Sequence, residues 1–242
     1  MAFNFFQKKT TIIEETAPGT EPAPASSTSK KDALLVLSGG MDSVTMLHEY
    51  AKEIALAVYF HYGSNHEGQE VACARYQADF LRIPLAEIHL PFMATFFKSS
   101  LLEGAEAIPE GPYAGDNMAS TVIPFRNGVM LSIAAGIAES RGLKRVMIAS
   151  HTGDHTTYPD CTAAFVDAMA EAVKRGTYAN IQIFAPYTNI TKSDIARRGR
   201  NLGVDYSMTY SCYRGGKNHC GKCATCIERH EALKAAGIYI ID

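Results

Sequence analysis

The run Ser38-Gly39-Gly40-Met41-Asp42-Ser43 carries chemistry in its main chain rather than in its side chains. Residues 33–37 before it are apolar and read as a buried parallel strand, and residues 44–52 after it read as an amphipathic helix. A strand that breaks at a glycine pair and turns straight into a helix aims backbone N–H groups and the positive helix end at one point. The missing Cβ atoms let an anion approach the chain closely. No G-x-x-x-x-G-K-[ST] is present here, so the run is not a Walker A loop, and an ordinary glycine-rich turn is the plain alternative. The second cluster is Cys212, Cys220, Cys223 and Cys226, spaced C-x7-C-x2-C-x2-C. Four thiolates at such short spacings can close a tetrahedron around Zn²⁺, and Gly215, Gly216 and Gly221 supply the freedom a tight knuckle needs. An iron–sulfur cluster uses the same ligand set and stays open at this point. A redox pair lacks a thioredoxin-like context, and a disulfide lacks a secretory signal.

Strand-like and helix-like stretches alternate to position these residues. Residues 54–60, 85–90, 145–150 and 181–186 join 33–37 as strands. Residues 66–82, 127–140 and 161–176 have helical patterns, and Thr191 caps a helix over 191–203. The helix over 127–140 is apolar nearly all round, which predicts burial. Residues 91 to 120 have several Gly and Pro and no period, which predicts a long loop or lid. Strands that are apolar throughout predict a doubly wound, five-stranded parallel sheet covered on both faces, with ligands outside the strands' carboxyl ends. SGGMDS, HYGSNH, SHTGDHTTYPDC and PYTNITK each follow a strand. Lys192 stands at a helix start and opposes the helix dipole there, which disfavours a purely structural role; a solvated surface lysine is the alternative. His61, His66, His151 and His155 lie on loops at the same end and are candidate proton carriers, with surface or packing roles as the duller reading.

The 242 residues suit one sizeable α/β domain with a small appendage. Residues 1–32 are rich in Thr, Ala, Pro, Ser and Glu, which predicts a disordered tail, and Phe3, Phe5 and Phe6 could dock a protein partner. Residues 33–206 form the α/β domain and residues 207–242 the cysteine-bearing segment. With 23 basic and 25 acidic residues the formal charge is −2, so nothing draws the chain towards a large nucleic acid or an anionic membrane. No stretch reaches the roughly 20 apolar residues that cross a bilayer. Six cysteines, four of them metal-like, suit the cytoplasm.

SGGMDS resembles the pyrophosphate loop of the PP-loop ATP pyrophosphatases, of the adenine nucleotide alpha hydrolase-like type. With the other blocks, the chain from about residue 33 to 237 is similar to the 7-cyano-7-deazaguanine synthase (QueC-like) family. HYGSNH stands where that family reads Y-[GN]-Q-R-H, and IPFRN, residues 123–127, where it reads VPGRN. Asp154 and Tyr158-Pro159-Asp160-Cys161 match D-x-S-G-Y-P-D-C, and SCYRGGKNHCGKCATCIER follows the family's zinc block nearly residue for residue. The chain departs at Asn65 for Arg, Phe125 for Gly and Thr162 for Arg. Each lost cation removes a charge-assisted hydrogen bond, and Phe125 would put bulk near the base pocket.

The resemblance implies that ATP adenylylates 7-carboxy-7-deazaguanine, ammonia converts the adenylate to an amide, and a second adenylylation makes the nitrile. It implies ATP contacts along Val36, Leu37, Ser38, Gly39, Gly40, Met41, Asp42 and Ser43, with Lys192 on the phosphates. Mg²⁺ would bridge phosphate oxygens near Asp42, whose alternative role is a helix cap. Arg126, Asn127, Asp154, Tyr158 and Asp160 would face the substrate, Tyr158 stacking on the base and Asp160 accepting from its N–H edge; Asn127 could instead cap the next helix. Asp42, Lys192 and Arg126 are the residues expected to carry catalysis. A homodimer and bound Zn²⁺ are also expected. The same motifs suit a paralogue that stops at the amide or joins the deazaguanine to a protein, as in antiphage defence. A nucleotide-binding regulator without turnover and an RNA sulfurtransferase are the remaining readings.

Overall fold

Apolar runs without polar alternation become the centre of the molecule. The computed structural model describes residues 31–102, 104, 107–113, 115–151 and 158–240, so the tail with Phe3, Phe5 and Phe6 lies outside the described residues. Strands β1 (Ala33–Val36), β2 (Ile54–His61), β3 (Leu85–His89), β4 (Arg145–Met147) and β5 (Gln182–Phe184) form one sheet in the order β3-β2-β1-β4-β5. Every pairing is parallel, and Leu35 lies opposite Ala57 on one side and Met147 on the other. The helices are α1 (Met41–Glu49), α2 (Glu67–Phe80), α3 (Pro91–Phe96), α4 (Arg126–Ser140), α5 (Ala163–Gly176), α6 (Lys192–Asn201) and α7 (Ala224–Ala235).

Because side chains alternate across a strand, each face of the sheet builds its own core. Ala33 and Leu35 of β1 pack with Val44 and Leu47 of α1, Ala74 of α2, Ile195 of α6 and Leu233 of α7. Leu34 of β1 and Val146 of β4 pack on the other face with Leu131, Ala134 and Ala138 of α4 and Val173 of α5. Each fully buried Leu or Val contributes about 1.5–3 kcal/mol, so β1, with three residues at zero exposure, anchors both layers. The cysteine-bearing segment is part of this structure, since Ala232, Leu233 and Ala236 share the core of α1 and α6.

The structure corrects three local expectations. The first helix begins at Met41, directly after Gly40, so Asp42 and Ser43 lie in its first turn. α4 is buried on one face only, and Ser132, Gly136 and Ser140 reach solvent. The most apolar long stretch, Met118–Ser140, has a mean hydropathy of 1.3, yet half of that window is buried inside the protein. Its composition therefore reflects packing against β1 and β4. Finally, the described part of residues 91 to 120 holds α3 and most of a 3-10 turn, Gly115–Thr121, with Ser100 N donating to Ser120 O and Gly111 N to Lys222 O. The cap at Thr191 is as expected: its hydroxyl accepts from Asp194 N, and Asp194 accepts in return from Thr191 N, a closed capping box.

Candidate active site

β1 and β4 are neighbours, but the chain leaves β1 for β2 and reaches β4 only after β3. Connections therefore diverge at their carboxyl ends, where open α/β sheets form a crevice. A cavity of about 210 Å³ opens there, walled by Val36, Leu37 and Ser38 after β1 and by Ile148, Ala149 and Ser150 after β4. Ser38 to Ser43 is braced from within. Ser43 Oγ accepts from Ser38 N and lies 3.0 Å from Ser38 Oγ, and Ser38 Oγ accepts from Gly40 N. Gly39 has φ +79°, and a Cβ there would stand 2.2 Å from Glu70 O, so only glycine lets the loop rest against α2. Gly40 caps α1 with no side chain over the helix end, which leaves the first-turn N–H groups facing the cavity. Gly40, Met41, Asp42 and Ser43 all line it.

Charge gathers on the same side. Lys192 Nζ lies 3.4 Å from Asp42 Oδ2 and 2.7 Å from Glu228 Oε2 of α7, and fully buried His151 holds its Nε2 3.6 Å from Asp42 Oδ2. Asp42 Oδ1 is buried and has no hydrogen-bond partner among the described residues. A buried anionic acceptor left over in this way fits a cation. Across the cavity, Arg126 sits on the first turn of α4, with its guanidinium 5.9 Å from the Tyr62 ring centroid. Burial pushes its pKa down, but the oxygens of Tyr62, Asp160 and Tyr213 and the Cys161 sulfur outweigh that, so it stays a cation.

Of the residues singled out for substrate, Arg126 and Asn127 line the cavity, whereas Tyr158 and Asp160 are absent from its wall. Asp160 Oδ2 accepts from Asn127 N at 2.8 Å and its carbonyl accepts from Asn127 Nδ2, so this carboxylate caps α4 and fixes the neighbour of Arg126. Tyr158 is buried with its hydroxyl 3.0 Å from Thr121 Oγ1 and 2.8 Å from Tyr213 Oη, and its ring meets Tyr113 edge-on. Its neighbours Tyr113 and Tyr213 do line the cavity, as Tyr62 does beside Arg126. Asp154 and His155 lie outside the described residues. The expectation that Phe125 crowds the pocket is corrected. At φ +52° its backbone turns the ring back over Gly128 and edge-on to Phe165, 58% exposed and away from the wall. Thr162 caps α5 by accepting from Phe165 N, and Asn65 Nδ2 donates to Ser100 O.

The four cysteine Sγ atoms lie within 4.8 Å of one another, Cys220 and Cys226 at 3.9 Å. A tetrahedron with metal–sulfur bonds of about 2.3 Å has edges of about 3.8 Å, so the set fits a metal ion. Amides of Lys222 and Cys223 donate to Cys220 Sγ and fix its position in the set. Hydrogen bonds from its neighbours drive the Cys223 thiol well below its usual range, Cys212 first among them. Ligands and cavity wall interleave: Ser211 and Tyr213 flank Cys212, Thr225 precedes Cys226, and Thr225 Oγ1 donates to Ser211 O. Buried Arg229 of α7 ties the same segment down by donating to Thr209 Oγ1 and Tyr206 O.

Sequence reasoning missed Glu70, Glu228, Tyr62, Tyr113 and Tyr213 as cavity or ion-pair residues. Glu70 and Glu228 look like ordinary acids on helices, and no local signal separates them from a solvated face. Tyr213 stands beside a metal-ligand candidate, and that adjacency was the one available hint.

The family model described as queuosine biosynthesis protein QueC matches residues 32–237. A 7-cyano-7-deazaguanine synthase of Porphyromonas gingivalis is 56% identical over 209 residues, 86% of this chain and 95% of that protein. One from Desulfotalea psychrophila is 49% identical over 205 residues, 84% and 94% of the two chains. Among solved structures, NMN synthetase from Francisella tularensis superposes with a TM-score of 0.50 at 14% identity, covering 87% of this chain and 79% of that one. That likeness concerns the fold alone, a parallel five-stranded sheet with helices packed on it. With the profile covering nearly all of the sheet and the cysteine segment, the chain belongs to the QueC family.

Proposed function

We propose that this chain is an ATP-dependent ligase that converts 7-carboxy-7-deazaguanine and ammonia to 7-cyano-7-deazaguanine, the product named for its relatives. The observation that carries this reading is one cavity that joins an open helix end and Lys192 on one side to Arg126 and two tyrosines on the other. Carboxylate oxygen leaves poorly, so each of the two oxygens must first become part of AMP, one ATP for each. The residues 36–43 loop cradles the phosphates, and Lys192 neutralises charge that develops as pyrophosphate leaves. Asp42 is the carboxylate for Mg²⁺, which when bound offsets charge on the phosphate oxygens. Arg126 holds the substrate carboxylate or the adenylate, Asn127 supports it, and Tyr113 and Tyr213 offer faces to the base. Asp160 and Tyr158 act from behind, through Asn127 and Tyr213, in place of direct contact with the base.

Cys212, Cys220, Cys223 and Cys226 hold Zn²⁺ as a closed structural site with no position left for a substrate. The full two-step course is favoured over an amide-forming or protein-conjugating variant because none of Asn65, Phe125 and Thr162 lines the cavity. The chain works in a reducing compartment, the cytoplasm, as a homodimer, a state that sedimentation measures directly. The deciding experiment incubates the protein with ATP, Mg²⁺, ammonium and 7-carboxy-7-deazaguanine and follows the base by mass spectrometry. A nitrile with AMP and pyrophosphate bears the reading out. An amide that accumulates, an adduct on protein, or no change in the base refutes it.

A further inference from the structure

Resting on the synthase reading, the nitrogen chemistry needs a base that the phosphate-binding residues do not supply. In the first half-reaction ammonia adds to the acyl-adenylate carbon, the C–O bond to AMP breaks, and the nitrogen must shed a proton to become the neutral amide. In the second, the adenylylated amide sheds its remaining N–H protons, the last N–H electron pair becomes the third C–N bond, and AMP leaves with the C–O pair. The protons leave one nitrogen at one place, so a single acceptor can serve both steps. Lys192 and Arg126 are cations, and Asp42 is engaged on the phosphate side with Lys192. His66 is buried, and burial followed by the nearby Arg126 charge pulls it down to about 4, too weak a base for ammonium.

We propose that Glu70 is the general base that takes protons from the incoming nitrogen during both amide and nitrile formation. Glu70 stands on α2 and lines the cavity, with its side chain 14% exposed. Its backbone carbonyl is the atom against which Gly39 is pressed, so the residue is held beside the phosphate loop. Arg126 faces it from α4, Tyr59 from β2 and Tyr62 from the turn after β2, and His66, Glu67 and Cys73 from its own helix and the turn before it. The carboxylate would thus sit between the activated phosphate and the group that grips the substrate. Burial raises its pKa to about 8, Arg126 opposing and Glu67 adding to the rise. A base in that range accepts a proton from an ammonium-like nitrogen far more readily than an ordinary carboxylate near about 4.3. Its charge when ionised is met by Arg126.

The test separates adenylylation from nitrogen transfer in Glu70→Gln, a change that keeps shape and removes basicity. Single-turnover pyrophosphate release should fall no more than a few-fold, while amide formation from ammonium should fall about 100-fold, a typical loss for a general base. Hydroxylamine, already unprotonated at neutral pH, serves as the nucleophile for a pH profile. Wild type should lose rate as pH falls below about 8, and Glu70→Gln should be flat there. Should the variant not fold, the wild-type profile decides alone, and no acidic limb near that pH overturns the proposal. An equal loss of pyrophosphate release and amide formation also overturns it. No substrate-dependent pyrophosphate release from wild type would refute the synthase reading itself, and the base assignment with it.

Discussion

Two glycine-bearing loops wall the same cavity and are held in place by different means. The loop 38–43 hangs from β1, whose backbone is paired on both sides, and short serine hydrogen bonds brace it from within. The loop 212–226 has no strand beneath it among the described residues. Its supports include four sulfur atoms within 4.8 Å, the Thr225–Ser211 bond and the bond from Gly111 N to Lys222 O, with buried Arg229 holding the chain just before it. The first is organised by chain connectivity and needs nothing added. The second gathers groups that repel once ionised, so a cation held by the four sulfurs, as proposed above, would add to its order. Anion binding can thus be built from backbone alone, whereas a wall made far from the sheet gains from a cross-link.

The largest effect should come from removing that cross-link. Chelation, or Cys223→Ser, should cost the segment on the order of 10 kcal/mol of metal-linked folding energy. In hydrogen exchange, residues 210–226 should lose protection while 33–36 keep theirs. Uniform loss across both regions, or none, would erase the contrast between the loops.

Lys192→Ala should lower AMP formation by about 10²–10³, roughly 3–4 kcal/mol of transition-state stabilisation, and shift the melting temperature little. Asp42→Asn should behave alike. A large drop in melting temperature for either would make the ion pairs with Glu228 and His151 structural rather than catalytic in purpose.

Glycine substitutions compare the loops directly. Gly39→Ala combines φ +79° with a Cβ 2.2 Å from a backbone oxygen, so it should cost more than the about 1–2 kcal/mol of left-handed strain alone. Gly221→Ala has φ +67° and nothing within 4 Å, so only that strain applies. Denaturant midpoints measure both, and equal costs would mean that α2 moves aside freely.

The smallest effect concerns a region belonging to neither loop. His61 bridges Glu67 and Glu87 at 2.8 Å each. Burial lowers its pKa, but the two hydrogen bonds raise it above 6.5, so its contribution is full below that value and lost as pH rises through the folded pKa. For Glu67, burial raises the pKa and the His61 bond outweighs it, so its contribution holds above 4.5 and is lost as pH falls. Both contributions are full between those values, so His61→Asn should remove the loss of stability as pH rises above 6.5 and weaken the loss as it falls below 4.5, as thermal melts over pH would record. An unchanged profile would remove the network from the stability account.

The order of strands and helices, the loop after β1 and the cysteine set were all legible because each rests on a local pattern. Apolar runs, a glycine pair and thiol spacing keep their meaning whatever surrounds them. Roles assigned to single side chains were less legible. Tyr158-Pro159-Asp160 reads as a substrate-binding block, yet Asp160 meets the N-terminus of α4 and Tyr158 meets Tyr213, partners far along the chain. Asn65, Phe125 and Thr162 read as losses at a pocket, yet Asn65 bonds to Ser100, Phe125 makes a left-handed turn and Thr162 caps a helix.

By itself the sequence determined which backbone would be exposed at strand ends and which sulfurs could meet, since glycine, alternation and short spacing act over a few residues. Which side chains gather at the cavity was decided only by the tertiary structure. Glu70 comes from α2, Tyr62 from the turn after β2 and Tyr213 from the cysteine loop, while Glu228 of α7 holds Lys192 at the wall. They meet at one cleft because the sheet's topology brings those elements to the carboxyl ends of β1 and β4. Direction and burial at that place are products of packing, and no local run of residues encodes them.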